Sequence, residues 1–287
     1  WSASFRVYFD AEEFKRRMPL YLIVPIAGYA VGVALYSEGD LTFWRALAII
    51  AVFHFVRQQY GWVALYRRKL NETESWTWWI DAAAVYLASI YPLAFWMTSL
   101  PRNFNWFVAN DFFAMPALVE TVLFPIYVLA LAAYFAKSVF LYKTKGFLNS
   151  GKDIVVVTTA VCWYVGIVVF NSNYAFTVTN VIIHGVPYFA LIWFYAKKRR
   201  ESAGRVYRTL SNHWIIFLAT LWGFAYVEEL FWTRGVWHDR TWLFGANWDW
   251  AGWQMWLVPL LAVPQLTHYV LDGFIWRRRG NARVTMP

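Results

Sequence analysis

The amino-acid sequence predicts an all-α, polytopic integral membrane protein of about eight transmembrane helices with both termini on the cytoplasmic side, and three observations predict it. Of 287 residues, 60% are hydrophobic and only 15% charged, against roughly 45–50% and 25% in ordinary soluble domains. The apolar residues gather into runs close to the roughly 20 positions that a spanning helix needs. Charge is confined to the joints between runs and is one-sided. Of the 26 basic residues, all but Arg45, Arg57, Arg102, Arg234 and Arg240 fall in the termini, in every second joint or, for Lys137 and Lys197, within the end of a run next to such a joint. That is the positive-inside pattern of an even number of spans.

Taken in order, the stretch DAEEFKRR at 10–17 reads as an amphipathic juxtamembrane segment rather than a cleavable signal. The first run, 18–37, follows it. The second, 43–66, ends on Arg67, Arg68 and Lys69, and the third, 77–99, opens on Trp76, Trp78 and Trp79 at an inner boundary. The fourth, 115–142, closes on Lys143 and Lys145, and the fifth occupies 153–171. The sixth, 174–197, ends in Lys197, Lys198, Arg199 and Arg200. The seventh is 214–232, and the last, 251–276, stops at Arg277, Arg278 and Arg279, with Arg283 beyond. Between these two, residues 233–250 form the longest outer loop, too short to fold alone. The chain starts at Trp1 and not at methionine, so preceding residues are expected.

No repeat, low-complexity tract or long linker interrupts the chain, which predicts a single domain over 1–287. The net charge of +9 is spread over every cytoplasmic joint. It suits anionic membrane lipids and excludes a nucleic-acid face. The 20 tryptophans are explained as interfacial belts and packing. One cysteine, Cys162, excludes a disulfide framework. There is no glycine-rich phosphate loop, HExxH helix or CxxCH haem attachment. No lysine lies at mid-membrane to carry a Schiff base. The expected location is a bacterial-type inner membrane.

Polar residues inside such runs are costly and normally face a protein interior or a wet cavity. In HFVRQQYG, 54–61, His54, Arg57, Gln58 and Gly61 recur at helical spacing and share a face. In the sixth run Thr177, Asn180 and His184 do the same, and in the last run so do Gln265, His268 and Asp272. Counted at about 1.5 Å per residue, His54 and His184 each lie about 20 Å in from their basic clusters and His268 about 13 Å in from Arg277. Three stripes that lipid would penalise are therefore expected to converge on one polar pocket. Imidazoles there suit iron, zinc or copper. Asp272 and Asp81 are expected either as ligands or as groups that orient a ligand's distal nitrogen. Arg57, Gln58, Asn180 and Gln265 are expected to line the site, with Arg57 either neutralising Asp272 or Asp81 or holding an anionic group. Glu120, Glu228 and Glu229 form a second, structural polar patch toward the outer side, and His213 is a reserve ligand. No catalytic residue is singled out.

The stretch LLAVPQLTHYVLDGFIWR is similar to the final-helix signature of the bacterial carotene-cleaving membrane dioxygenases, in which a proline and a histidine precede an aspartate and an apolar-arginine ending. The dipeptide HF at 54–55 and the run IIHG at 182–185 match two further histidine-bearing helices in the same order. The resemblance implies an all-helical fold that holds iron by histidines and cleaves a carotenoid with dioxygen, with His54, His184 and His268 as ligands. The family's early PHGxxxD helix has no counterpart here and its HSxRH motif is reduced to His184, so a fourth ligand would come from Asp272, Asp81 or His213.

Two functions from different classes follow. One is a multi-pass metalloprotein, a non-haem iron oxygenase for a lipophilic isoprenoid or lipid substrate. The other is a non-catalytic subunit of a larger respiratory or photosynthetic complex, whose pocket holds b-type haem, quinone or pigment, with His54 and His184 as axial ligands. Zinc is the further metal alternative. Other membrane subunits would then be partners. A transporter is the weaker third reading, because neither broken helices nor an inverted repeat is visible.

Overall fold

The computed structural model describes residues 2–199 and 204–276, and among them every regular element is helical. Arg200, Arg277, Arg278, Arg279 and Arg283 lie outside the described residues. The helices are α1 (Ser2–Tyr8), α2 (Ala11–Arg16), α3 (Met18–Ser37), α4 (Asp40–Lys69), α5 (Ser75–Thr98), α6 (Ala117–Lys145), α7 (Ser150–Trp163), α8 (Asn173–Phe176), α9 (Ile182–Arg199), α10 (Arg205–Asn212), α11 (Trp214–Trp232), α12 (Thr241–Phe244) and α13 (Gln254–Ile275).

All eight apolar runs fold as helices, and six stretches are long and apolar enough to cross a membrane: Met18–Ser37, Ser75–Thr98, Ala117–Lys145, Ser150–Val169, Asn173–Arg199 and Trp214–Trp237. These give the chain the character of a multi-pass membrane protein. The two long helices outside that set, α4 and α13, carry the HFVRQQYG and PQLTHYVLD stretches, whose polar side chains lower their apolarity. Large apolar side chains such as Ile23, Ile26, Leu129, Phe135 and Trp222 stand exposed. Apolar exposure on that scale is a liability in water and suits hydrocarbon.

The chain forms two compact units, Trp1–Leu47 with Pro187–Pro287, and Ala48–Val186. Both junctions fall inside helices, α4 and α9, so no linker marks them in the sequence.

In the first unit α13 packs along α3. A Cβ on Gly32 would stand 3.0 Å from Pro259 Cβ, a tight contact that the glycine relieves. Small residues at such crossings are how helices attract in lipid, where van der Waals contact replaces the hydrophobic effect. The stretch at 10–17 is helical because the Asp10 carboxylate accepts from the Glu12 and Glu13 amides at 3.2 and 3.1 Å, capping α2. Arg199 Nε donates to the same carboxylate at 2.6 Å. Arg6, expected in a cytoplasmic joint, is fully buried. Its guanidinium lies between Tyr195 and Trp276, 4.2 and 3.9 Å from the ring centroids, and donates to the Ile275 carbonyl at 2.8 Å, which makes the charge tolerable there.

In the second unit α5 is the central helix, packed on α6, on α7 and on the π-helical turn Tyr164–Val169 that extends α7. A second π turn, Thr177–Val181, joins α8 to α9. The two turns meet closely. A Cβ on Gly166 would fall 1.8 Å from Thr179 Oγ1, so this position needs glycine. Residues 99–116 fold back as an aromatic loop. Arg102 Nη2 donates to the Ile167 and Phe170 carbonyls at 2.6 and 3.1 Å, groups a helix end leaves without intrahelical partners. The Asp111 carboxylate accepts from the Phe107 and Val108 amides at 2.6 and 3.1 Å and closes the turn.

Candidate functional site

The second unit brings His54 and His184 together. His54 is set by α4, and His184 stands in the first turn of α9, directly after the π turn. Turns of that kind widen a helix locally and are frequent at functional positions. Both imidazoles are buried, with ring centroids 5.2 Å apart and planes at 74°. The Phe55 ring stacks on His184 at 3.7 Å and meets Trp106 edge-on at 5.1 Å. Trp106 belongs to a group of rings with Trp96, Phe104, Phe112 and Phe176. The pair is thus walled by aromatic residues that fix ring orientation and keep water away. Phe55 and Trp106 were not singled out from the sequence, although an aromatic residue beside a membrane histidine is a usable signal.

Two buried amides accompany the pair. Asn180, four residues before His184, is 1% exposed; its Nδ2 donates to the Phe176 carbonyl at 3.0 Å, while its Oδ1 is buried with no hydrogen-bond partner among the described residues. Gln58, one turn after His54, has both Oε1 and Nε2 buried and without such a partner. A buried polar atom left unpaired costs roughly 1–3 kcal/mol, so two of them beside one histidine pair call for an explanation.

The remaining polar residues of the second unit lie elsewhere. The buried face of α4 runs through Ala48, Ala51, His54, Phe55, Gln59 and Val63, so of the stripe expected from the sequence His54 and the Gln58 amide lie inside while Arg57 and Gly61 do not. Gln59 is the residue this places inside, where its Oε1 accepts from Thr159 Oγ1 at 3.1 Å. Arg57, expected inside, is exposed and donates to the Tyr86 hydroxyl. It pairs with neither Asp81 nor Asp272. Gly61 is exposed too.

Asp81, expected beside the histidines, is buried in an ion cluster instead. Arg67 and Lys137 both bond to its carboxylate, and Lys152 Nζ adds a third contact at 2.9 Å. Lys152 and Arg67 also hold Glu72, at 2.5 and 3.3 Å. Arg67 lies about 20 Å along α4 from His54 at 1.5 Å per residue. The three cations were assigned to a cytoplasmic surface. What the sequence does not display is that they turn inward onto one carboxylate.

In the first unit His268 is half-buried on α13. Its Nδ1 lies 3.9 Å from Asp272 Oδ1, one turn on. The buried Tyr188 hydroxyl donates to Asp272, and the Tyr188 ring meets His268 edge-on at 5.1 Å. At 3.9 Å Asp272 is a charged neighbour of the imidazole and not its hydrogen-bond partner. Gln265 is engaged on its own helix, donating to the Tyr269 hydroxyl at 2.6 Å.

No family model, curated protein or solved structure matches the chain. Fold and geometry define its class as an all-helical, multi-pass membrane protein with a buried histidine pair in one unit and a half-buried histidine one turn from a carboxylate in the other.

Proposed function

We propose that the chain is a membrane metalloprotein in which His54, His184 and His268 hold one ion, non-haem iron in the first place, and that it works as an oxygenase on a lipophilic isoprenoid or lipid substrate. In this reading α4 and α13 complete eight spans, both termini are cytoplasmic and the host is a bacterial-type inner membrane. The observation that carries the proposal is the His54–His184 pair with two unsatisfied amides, Asn180 and Gln58, each a turn away. That donor set fits an ion that keeps exchangeable positions, because the amides can hydrogen-bond whatever small ligand occupies them. The resemblance to the carotene-cleaving dioxygenases gives the reading its reaction class.

A bare ion suits the pair better than haem. Two imidazoles on opposite faces of a haem iron, with iron–nitrogen bonds of about 2 Å, place their ring centroids roughly 6 Å apart with a macrocycle between them. The observed separation is 5.2 Å, and one face of His184 is covered by the Phe55 ring. Zinc remains the alternative with the same ligand set.

The bound ion supplies dioxygen activation. This chain's own residues do the rest. His54 and His184 would present imidazole nitrogens from two helices, and Asp272 would place a carboxylate beside His268. Phe55 and Trp106 exclude water, and the Gln58 and Asn180 amides orient the small ligand. The test is elemental analysis of detergent-purified protein, with a visible spectrum, for wild type and the single variants His54→Gln, His184→Gln and His268→Gln. About one iron per chain, no Soret band and loss of iron in all three variants is the expected result. Metal-free, well-folded protein would overturn the proposal and leave the assembly-subunit reading in its place.

A further inference from the structure

The outward face of α4 has a different chemistry from its inward one. Ile50, Phe53, Arg57 and Gly61 recur along the helix and are all exposed, with Phe53 at 65%. Arg57 is the one charge on this stripe. It lies about 15 Å along the helix from Arg67, beyond the reach of its own side chain to that basic end. An unpaired guanidinium at such a place is costly in a membrane protein. Among the described residues no carboxylate pairs with it.

Its position is nonetheless prepared. Nη1 donates to the Tyr86 hydroxyl, and the guanidinium carbon lies 5.2 Å from the Tyr60 ring centroid. Tyr60 and Tyr86 stack at 5.1 Å, and Trp78 Nε1 donates to the Tyr60 hydroxyl at 2.9 Å. One face of the guanidinium is thus fixed by rings while its other donors remain available. One turn further on, Gly61 has open space where a Cβ would stand. In the other direction Phe53 and Ile50 offer a bare apolar track of about 10 Å at helical rise.

We propose that this stripe binds a long-chain carboxylate, with the head group on Arg57 and the hydrocarbon chain along Phe53 and Ile50. A guanidinium receives a carboxylate through two parallel N–H donors. A monoanion matches the single positive charge, whereas a phosphomonoester or diphosphate would call for further cations that this stripe lacks. The chain runs away from the basic end of α4, the direction in which a fatty acid inserts from a membrane surface. The binding stands on Arg57 and its neighbours. It rests on the oxygenase reading only in making this ligand the substrate, since His54 lies less than a turn from Arg57 on the same helix.

The test is equilibrium binding of radiolabelled oleate to the purified full chain in detergent, with oleyl alcohol and oleoyl lysophosphatidate as competitors. Wild type, Arg57→Gln, Arg57→Lys, Tyr86→Phe and His54→Gln are compared, with thermal melting and gel filtration of each as fold controls. The expected result is saturable binding that weakens at least tenfold in Arg57→Gln and severalfold in Arg57→Lys and Tyr86→Phe. It survives in His54→Gln, and oleate competes better than either the alcohol or the phosphate ester. Non-saturable binding, or binding indifferent to Arg57 in a folded variant, overturns the proposal. A stronger effect of the phosphate ester overturns the carboxylate assignment. Dissociation of an oligomer by Arg57→Gln overturns it too, by showing that the guanidinium docks protein. Oleate binding without metal in the chain would leave this proposal standing while the oxygenase reading fell; metal without oleate binding would do the reverse.

Discussion

The second unit holds two buried polar regions that solve the same problem in opposite ways. Around Asp81 the charges answer one another: Arg67, Lys137 and Lys152 converge on one carboxylate, with Glu72 as a second acceptor. Around His54 and His184 the stacked and edge-on neighbours are rings, and the nearby amides of Asn180 and Gln58 carry unsatisfied atoms. One region is closed by its own charges, and the other keeps unsatisfied amide atoms beside two imidazoles. A closed ion cluster binds helices together. An imidazole pair walled by aromatics is held in shape by packing and not by charge.

The largest effect should come from opening the closed region. Asp81→Ala leaves three buried cations with one carboxylate between them, and removal of one partner from a buried network costs about 3–5 kcal/mol. Thermal unfolding in detergent should show a large drop in melting temperature with metal content per folded chain unchanged. Loss of metal from the folded fraction would break the separation of the two regions.

Gly166→Ala strikes the packing around the histidines instead. The added Cβ meets Thr179 Oγ1 at 1.8 Å, so about 1–3 kcal/mol of overpacking is expected. Thr179→Ala in the same chain should restore much of it. Smaller still, His184→Gln measured without metal should cost about 1 kcal/mol, the scale of one lost hydrogen bond. The same variant should abolish metal binding, so that stability and ligation separate in one measurement.

The smallest effect concerns the loop beside the site. Burial pushes the Asp111 carboxyl above the usual carboxylate range, against the Phe107 and Val108 amides that pull it down. A folded-state pKa above the unfolded one means that the folded chain gains stability as the pH falls through that value. Above it, the charged form is a burden. Asp111→Asn should therefore melt slightly higher than wild type at neutral pH, and the two should converge in acid.

The helical class and the positions of all eight long helices were legible in the sequence, because apolar runs and basic joints record the cost of placing polar groups in hydrocarbon. The His54–His184 pairing was legible from the same cost. The rotation of α4 was not. A stripe of His54, Arg57, Gln58 and Gly61 satisfies helical periodicity as well as the true inner stripe through Phe55 and Gln59, and only neighbouring helices decide between them. Asp81 was misplaced for a related reason. Depth along its own helix was readable, but its partners Lys137 and Lys152 come from α6 and α7, and the sequence of one helix says nothing of what faces it. Arg6 was hidden because a short N-terminal helix with one arginine gives no periodic signal. The division into two units was invisible because it falls inside α4 and α9.

The proposed site requires His54 and His184 to ligate one ion together. X-ray absorption at the metal edge of the purified protein tests it most directly. With both histidines on the ion, nitrogen scatterers are expected at about 2.0–2.2 Å with the outer-shell scattering of at least two imidazoles, reduced in His184→Gln. A first shell free of imidazole, or one unchanged in His184→Gln, would contradict it.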